Sequence, residues 1–322
     1  MKILFHGDNA IAFRPGIESV LADVHEIVTV DAGLGEPGAV GHFVSAEVIV
    51  GVTLNPAMPR PDALKLFHFP GAGTDAIDQG CFPPGAVLCN CFGHEIAIAE
   101  YVMAALLARH VPLADADARL RRGDWRYWAG TPGSVRTELG AQTVGLLGYG
   151  RIGKAIAERA RAFGMGVTAA NRSPVPPGAP VDRAYGLDQL HAFMGSADAI
   201  VASLPLTDDT RSLVDAAALG AMRPDAVIVN VGRGPVIDEA ALYDALEGRR
   251  IAGAIIDTWY RYPGPDDAAP HPSDLPFHQL DNVVMTPHMS GWTAGTIARR
   301  QMVIAANIGN LAASRPLVNV VA

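Results

Sequence analysis

From Thr143 onward the chain alternates strictly between short apolar runs and helix-length segments. The runs read as strands at 144–147, 167–170, 199–202, 226–231, 252–256 and 283–285. Between most of them lie candidate helices at 152–163, 188–194, 215–222 and 239–247. Such a rhythm predicts an α/β fold, a parallel sheet with helices on both faces. The first half is less regular. Residues 2–6 read as an opening strand, 46–52 as a buried parallel one and 66–69 as a further strand-like run. Residues 94–110 form a helix with apolar side chains all round it, which places it between packed layers. A final helix is expected at 292–314, with RPLVNVV after it adding a short strand. For 322 residues, two domains are the natural division.

Composition excludes several classes. Half the chain is apolar, and the net charge of −8 leaves no electrostatic footprint for nucleic acid. Arg119, Arg121 and Arg122 read as the solvated end of a helix. The three cysteines, Cys81, Cys89 and Cys91, lack a usual zinc or redox spacing and are expected as free thiols, with no metal. The start, MKILFHGDNA, turns polar after five residues and is not read as a signal peptide. The most apolar stretch, 96–107, contains Glu100 and is too short to cross a bilayer. A cytoplasmic protein with no membrane partner is the expectation.

The first strand of the alternating half ends in Gly148-Tyr149-Gly150-Arg151-Ile152-Gly153, which opens the next helix. In that context the pattern is a dinucleotide fingerprint. Gly148 allows the tight turn, Gly150 lets a pyrophosphate reach the backbone, and Gly153 lets helix and strand pack closely. The second strand ends in Asn171-Arg172-Ser173, with no carboxylate to read a ribose hydroxyl. These three residues suit a 2′-phosphate, so NADP(H) is favoured, with NAD(H) the alternative if Arg172 is only a solvated charge. Two other segments follow strands. Arg233, between Gly232 and Gly234, suits bidentate binding of a carboxylate. His288, in TPHMSG, suits proton exchange with an alcohol or alkoxide. Each is also open to a structural reading.

GYGRIG, SLPLTDDTR, VNVGRGPVIDEAAL and TPHMSGWT, in that order and spacing, resemble the D-isomer-specific 2-hydroxyacid dehydrogenase family. PGAGTDAID and the helix carrying Ala99-Glu100 fit its N-terminal half more loosely. The resemblance implies two Rossmann-like doubly wound parallel-sheet domains with a hinge cleft between them. The substrate domain would be discontinuous, 1–97 plus 291–322, with the dinucleotide-binding domain inserted at 98–290. It also implies roles. Arg233 would grip the substrate carboxylate and polarise the keto oxygen, and His288 would be the general acid/base. Asp257 would stand beside the nicotinamide. Leu204, Pro205, Thr210, Val231, Gly232, Ser290 and Gly291 would join the fingerprint in the cofactor site. Gly71, Ala72, Gly73 and Thr74 would offer amides to the substrate carboxylate. A homodimer through the cofactor domain is implied, with the GDWRYW segment either in that contact or buried in the chain's own core.

One position departs from the family. Its usual glutamate, five residues after the strand aspartate, is replaced by Tyr262. A carboxylate there would raise the histidine pKa, whereas a phenol can only orient it. Tyr262 is therefore read as an orienting group or a packing residue, with Asp266 or Asp267 as substitute acids. Formate dehydrogenases of the same superfamily also lack the glutamate, but their asparagine near the helix start is His94 here. His94 is read either as a substrate contact or as a capping residue. The expected activity is reduction of a small 2-keto acid such as glyoxylate or hydroxypyruvate, with Trp259, Tyr260 and Trp292 able to shape a larger pocket. The alternatives are a formate-type oxidoreductase and a nucleotide-sensing binding protein without turnover.

Overall fold

The computed structural model describes residues 1–264, 267 and 269–321. It divides into two compact units, Met1–His94 with Trp292–Ala322, and Glu95–Gly291. The first is built on β1 (Lys2–His6), β2 (Glu26–Val30), β3 (Val48–Gly51), β4 (Leu66–His68) and β5 (Val87–Cys89). They form an all-parallel sheet of order β2-β1-β3-β4-β5. Period-two alternation sends Ile3, Phe5, Val48 and Val50 to one face, against Phe13 and against Ile304 and Ile308 of the C-terminal helix (Ala294–Ala312). Leu4 and Ile49 point to the other, against Phe43 of α2 (Ala39–Ser45), which follows the short α1 (Asp8–Ile11).

The second unit begins with α3 (Glu95–His110) and α4 (Leu113–Leu120). It then alternates: β6 (Thr143–Leu147), α5 (Arg151–Ala162), β7 (Gly166–Ala170), β8 (Arg183–Tyr185), α6 (Leu190–Met194) and β9 (Ala199–Ala202). The series continues with α7 (Ala216–Gly220), β10 (Val227–Asn230), α8 (Glu239–Glu247), β11 (Gly253–Ile256) and β12 (Val283–Met285). Read from the other edge, the sheet order is β8-β7-β6-β9-β10-β11-β12, all parallel. Strand order reverses between β6 and β9, and in a doubly wound sheet a ligand crevice opens at such a point, beyond the strand ends. Both faces are buried, by Val144, Leu146, Val227 and Val229 on one side and Leu147, Ile200, Ile228 and Ile256 on the other.

Three strands absent from the sequence reading, β2, β5 and β8, are all at sheet edges. An edge strand needs no two-sided apolar run, and EIVTV and RAY show none. The helix expected at 188–194 begins instead as a 3-10 turn, Leu187–Gln189, before α6. On α3 the apolar surface is not wholly covered: Ala99, Val102 and Leu106 are buried while Ile96 is exposed. The tail RPLVNVV makes only an isolated antiparallel bridge, Val320 to Cys89, rather than a regular strand. Asn319, with φ 55°, takes the backbone out of extended geometry there. Among the described residues no single helix is long and apolar enough to cross a membrane.

The tail is held by a buried polar cluster. Asn307 of the C-terminal helix donates to Val318 O (2.9 Å), accepts from Val318 N–H (2.8 Å) and meets His68 Nε2 at 3.0 Å. With Nε2 accepting that amide, His68 is neutral and carries its proton on Nδ1, facing Cys91 Sγ at 3.9 Å. Burial pushes the His68 pKa down to about 4, and pushes the Cys89 and Cys91 thiols up to about 11 and about 12. Because the folded state disfavours the His68 proton, its contribution to stability is complete above the unfolded value near 6.5. It is lost as pH falls toward 4. Lowering pH from 7.5 to 5 is expected to remove about 2 kcal/mol of stability through His68. Denaturant titrations at the two pH values, comparing the native chain with His68→Gln, would show the excess loss only in the native chain.

Candidate active site

The fingerprint loop joins β6 to α5 at the crevice. Gly148 has φ +100°, a conformation that side chains avoid. A Cβ on Gly153 would fall onto the Gly148 carbonyl oxygen, so the third glycine is needed for helix and loop to close. At Gly150 the same test meets nothing within 4 Å, leaving space in front of the helix end. Side chains cap α7, α8 and the C-terminal helix (Asp215, Asp238 and Thr293), but none caps α5. Its first amides and positive dipole end suit a pyrophosphate. Tyr149 is buried, Ile152 half-buried and Arg151 exposed. Asn171 closes the loop from β7, accepting from Tyr149 N–H (3.3 Å) and donating to Ser173 O (2.9 Å). It thus braces the turn, while Arg172 and Ser173 stand exposed at the crevice rim.

The loops after β9 and β10 pack backbone to backbone. A Cβ on Gly232 would come within 2.7 Å of Leu204 O, and one on Gly234 would collide with the Trp259 carbonyl. The glycines flanking Arg233 therefore serve close packing of neighbouring loops as well as access. Asn230, which sequence reading gave no role, holds the turn: it accepts from Gly232 N–H (3.2 Å) and donates to Arg233 O (3.1 Å). Thr210 fastens the other loop, donating to Pro205 O (2.7 Å) and accepting from Thr207 N–H (2.8 Å). Val231 and Leu204 are buried.

Beyond β11 and β12, Asp257 is fully buried, and its carboxylate accepts from Thr286 Oγ1 (2.6 Å), Met289 N–H (2.9 Å) and Ser290 N–H (3.0 Å). These bonds grip the turn that runs through His288 to Gly291, where His288 itself takes φ 57°. Tyr262 OH stands 2.9 Å from His288 Nδ1 and accepts the Trp259 N–H at 3.0 Å. With that amide filling an acceptor site, the phenol proton is directed at Nδ1 and the neutral imidazole carries its own proton on Nε2. Burial lowers the His288 pKa; Asp257 opposes the shift and Arg233 adds to it. Burial raises that of the Tyr262 hydroxyl, against the Trp259 hydrogen bond and Arg233.

Of the two substitute acids, only Asp267 lies among the described residues, and its partners there do not include His288. Asp267 faces Arg261 at 3.7 Å and accepts from Ala269 N–H, and Asp266 lies outside the described residues. Trp259 and Tyr260 pack on Phe277, with Trp259 Nε1 donating to Thr286 O (2.8 Å) and Tyr260 OH to Ile237 O (3.1 Å). They belong to the core rather than to a substrate pocket. Trp292, in the other unit, is half exposed with its ring edge-on to Phe13. In GDWRYW, Trp125 and Trp128 are 63% and 61% exposed, which removes the core reading of that segment. In the first unit, Gly71, Ala72, Gly73 and Thr74 follow β4. Their carbonyls are partly engaged: Cys91 N–H donates to Gly71 O, Asn90 Nδ2 to Ala72 O and Ile77 N–H to Thr74 O. His94 immediately precedes α3.

The family model for the D-isomer specific 2-hydroxyacid dehydrogenase, NAD binding domain, matches residues 103–290. The chain belongs to that family. The D-3-phosphoglycerate dehydrogenase of Methanocaldococcus jannaschii is 32% identical over 301 residues, covering 88% of this chain and 54% of its own length. The chain thus spans about half the length of such curated relatives. A family protein from Aeromonas salmonicida superposes with TM-score 0.81 at 25% identity, covering 100% of this chain and 98% of its own. The NADPH-dependent glyoxylate/hydroxypyruvate reductase of Sinorhizobium meliloti, in complex with citrate, gives 0.77 at 26%, covering 100% and 97%.

The glycine geometry separates two variants of this dehydrogenase-family chain. Gly150→Ala, in open space, is expected to leave the melting temperature unchanged while weakening dinucleotide binding at least about tenfold. Gly153→Ala should lower both. Differential scanning fluorimetry and nucleotide titration by fluorescence read the two quantities separately.

Proposed function

We propose that the protein is an NAD(P)-dependent 2-keto acid reductase, acting on a small acid such as glyoxylate or hydroxypyruvate. The observation that carries this reading is the grouping of Arg233, Asp257, Tyr262 and His288 at the strand ends beside the fingerprint loop. Residues 148–153 would hold the nicotinamide cofactor, whose chemistry when bound would be hydride donation to the carbonyl carbon. Arg233 binds the carboxylate and draws charge toward the carbonyl oxygen. Protonated His288 donates its Nε2 proton to that oxygen as the alkoxide develops. Tyr262, its hydroxyl now accepting from the protonated ring's Nδ1–H, keeps the ring oriented but adds no negative charge. NADPH is the favoured cofactor: Arg172 and Ser173 are exposed where a 2′-phosphate would be read, and no carboxylate there repels it. The reductase relative from Sinorhizobium meliloti is NADPH-dependent.

A homodimer through the second unit completes the proposal. Its support is the exposed apolar surface carrying Trp125, Trp128, Leu113 and Leu120. Sedimentation of a monomer across micromolar concentrations would remove it.

The test of activity is nicotinamide oxidation, with NADPH and NADH, against glyoxylate, hydroxypyruvate, pyruvate and phenylpyruvate. Turnover should vanish in His288→Ala, and Arg172→Ala should raise the KM for NADPH about tenfold or more without changing that for NADH. No turnover with any acid would overturn the reading in favour of a formate-type oxidoreductase or a nucleotide sensor.

The pH profile follows from the groups around the imidazole. Asp257 favours its proton, while burial and Arg233 disfavour it more strongly. Tyr262 stays neutral below its raised pKa. Reduction needs the protonated ring, so its rate is expected to fall as pH rises through a midpoint below 6.5. Tyr262→Glu places a carboxylate at Nδ1 and should move that descending limb to higher pH. An unchanged limb would mean that position 262 does not govern His288.

A further inference from the structure

We infer that Tyr101, a residue of α3 outside every motif of the sequence, is a positioning residue for His288 and acts through Thr286 and Asp257. Its hydroxyl lies 2.7 Å from Thr286 Oγ1, which lies 2.6 Å from Asp257 Oδ1. The direction of the chain is set by its end. The Asp257 carboxylate, which takes two backbone amides, accepts, so the single Thr286 hydroxyl proton goes to it. Thr286 then accepts from Tyr101, and every proton along the path has one place.

The far end of the path is the turn carrying His288. The two amides that Asp257 holds, Met289 and Ser290, directly follow the histidine. His288 is left-handed at φ 57°, a conformation that carries a cost for a side chain with a Cβ. The carboxylate offsets that cost, and the position of the carboxylate depends on its partners. Thr286 Oγ1 also lies 3.4 Å from Ile256 O. Without the Tyr101 donor, the threonine hydroxyl is a poorer donor to Asp257 and has this second acceptor within reach. Asp257 then carries a less dispersed charge and, with one oxygen less firmly tethered, fixes the turn in a less defined position. Among the described residues, Arg233 and Tyr262 also face the ring.

A phenylalanine fills the same volume without the hydroxyl, so Tyr101→Phe isolates the hydrogen bond. For turnover this inference rests on the proposed role of His288; for position it is read on the imidazole itself. The experiment is NMR titration of the His288 ring in the full-length protein, assigned with His288→Ala, in Tyr101→Phe, Thr286→Ser, Thr286→Val and the Tyr101→Phe/Thr286→Val pair. Tyr101→Phe is expected to raise the His288 midpoint and, on the plateau below that midpoint where the ring is fully protonated, to lower kcat roughly fivefold, the worth of one neutral hydrogen bond, with the KM values unchanged. The same change should be silent on top of Thr286→Val, while Thr286→Ser, which keeps the hydroxyl, should behave like the native chain. An unmoved midpoint in Tyr101→Phe, or an equal shift in the Thr286→Val background, overturns the proposal. A midpoint that moves in a protein without turnover on any keto acid would uphold the positioning and sink only the proposed reaction. Should Thr286→Val fail to fold, Tyr101→Phe against Thr286→Ser still decides.

Discussion

Burial of a parallel sheet on both faces is the constraint from which the rest follows. With helices covering Val144 and Leu146 on one side and Ile200 and Ile228 on the other, neither face of the second sheet is open to a ligand. What remains open is the row of loops beyond the strand ends. Loops packed this closely must let backbone pass backbone, and Gly153, Gly232 and Gly234 stand at the crossings where a Cβ would strike a carbonyl. The site is a by-product of that layering: the side chains with chemistry to offer stand on the turns that layering leaves exposed.

How much of this was legible in the sequence depended on whether a residue's task showed in its neighbours. The central strands read correctly because their apolar runs are continuous. The edge strands β2 and β8 did not, because an edge needs no such run, and β5, though apolar, is only three residues long. The fingerprint was visible as strand, glycines and helix in order. Asn230, Thr286 and Tyr101 were not, since each acts through a hydrogen bond to a partner that only folding brings near. Tyr101 and Thr286 are 185 positions apart. No spacing rule connects such residues. Aromatic residues misled in the opposite way: Trp259 and Tyr260 suggested a pocket wall by their size, and their ring contacts with Phe277 make them core.

Position 262 shows how a family's chemistry can be retuned. A hydroxyl holds the histidine nitrogen, and it also accepts a backbone amide from Trp259. Geometry is thereby separated from charge. The ring is aimed, yet among the described residues the field that favours its proton comes from Asp257, against burial and Arg233.

The two kinds of position differ in exposure. Tyr262 is 47% exposed, so a side chain of another size can be seated there, whereas Gly232 and Gly234 are each locked against another backbone. A change at position 262 can therefore reset the proton at His288 without moving backbone, while the loop around Arg233 admits almost no other residue at its two glycines.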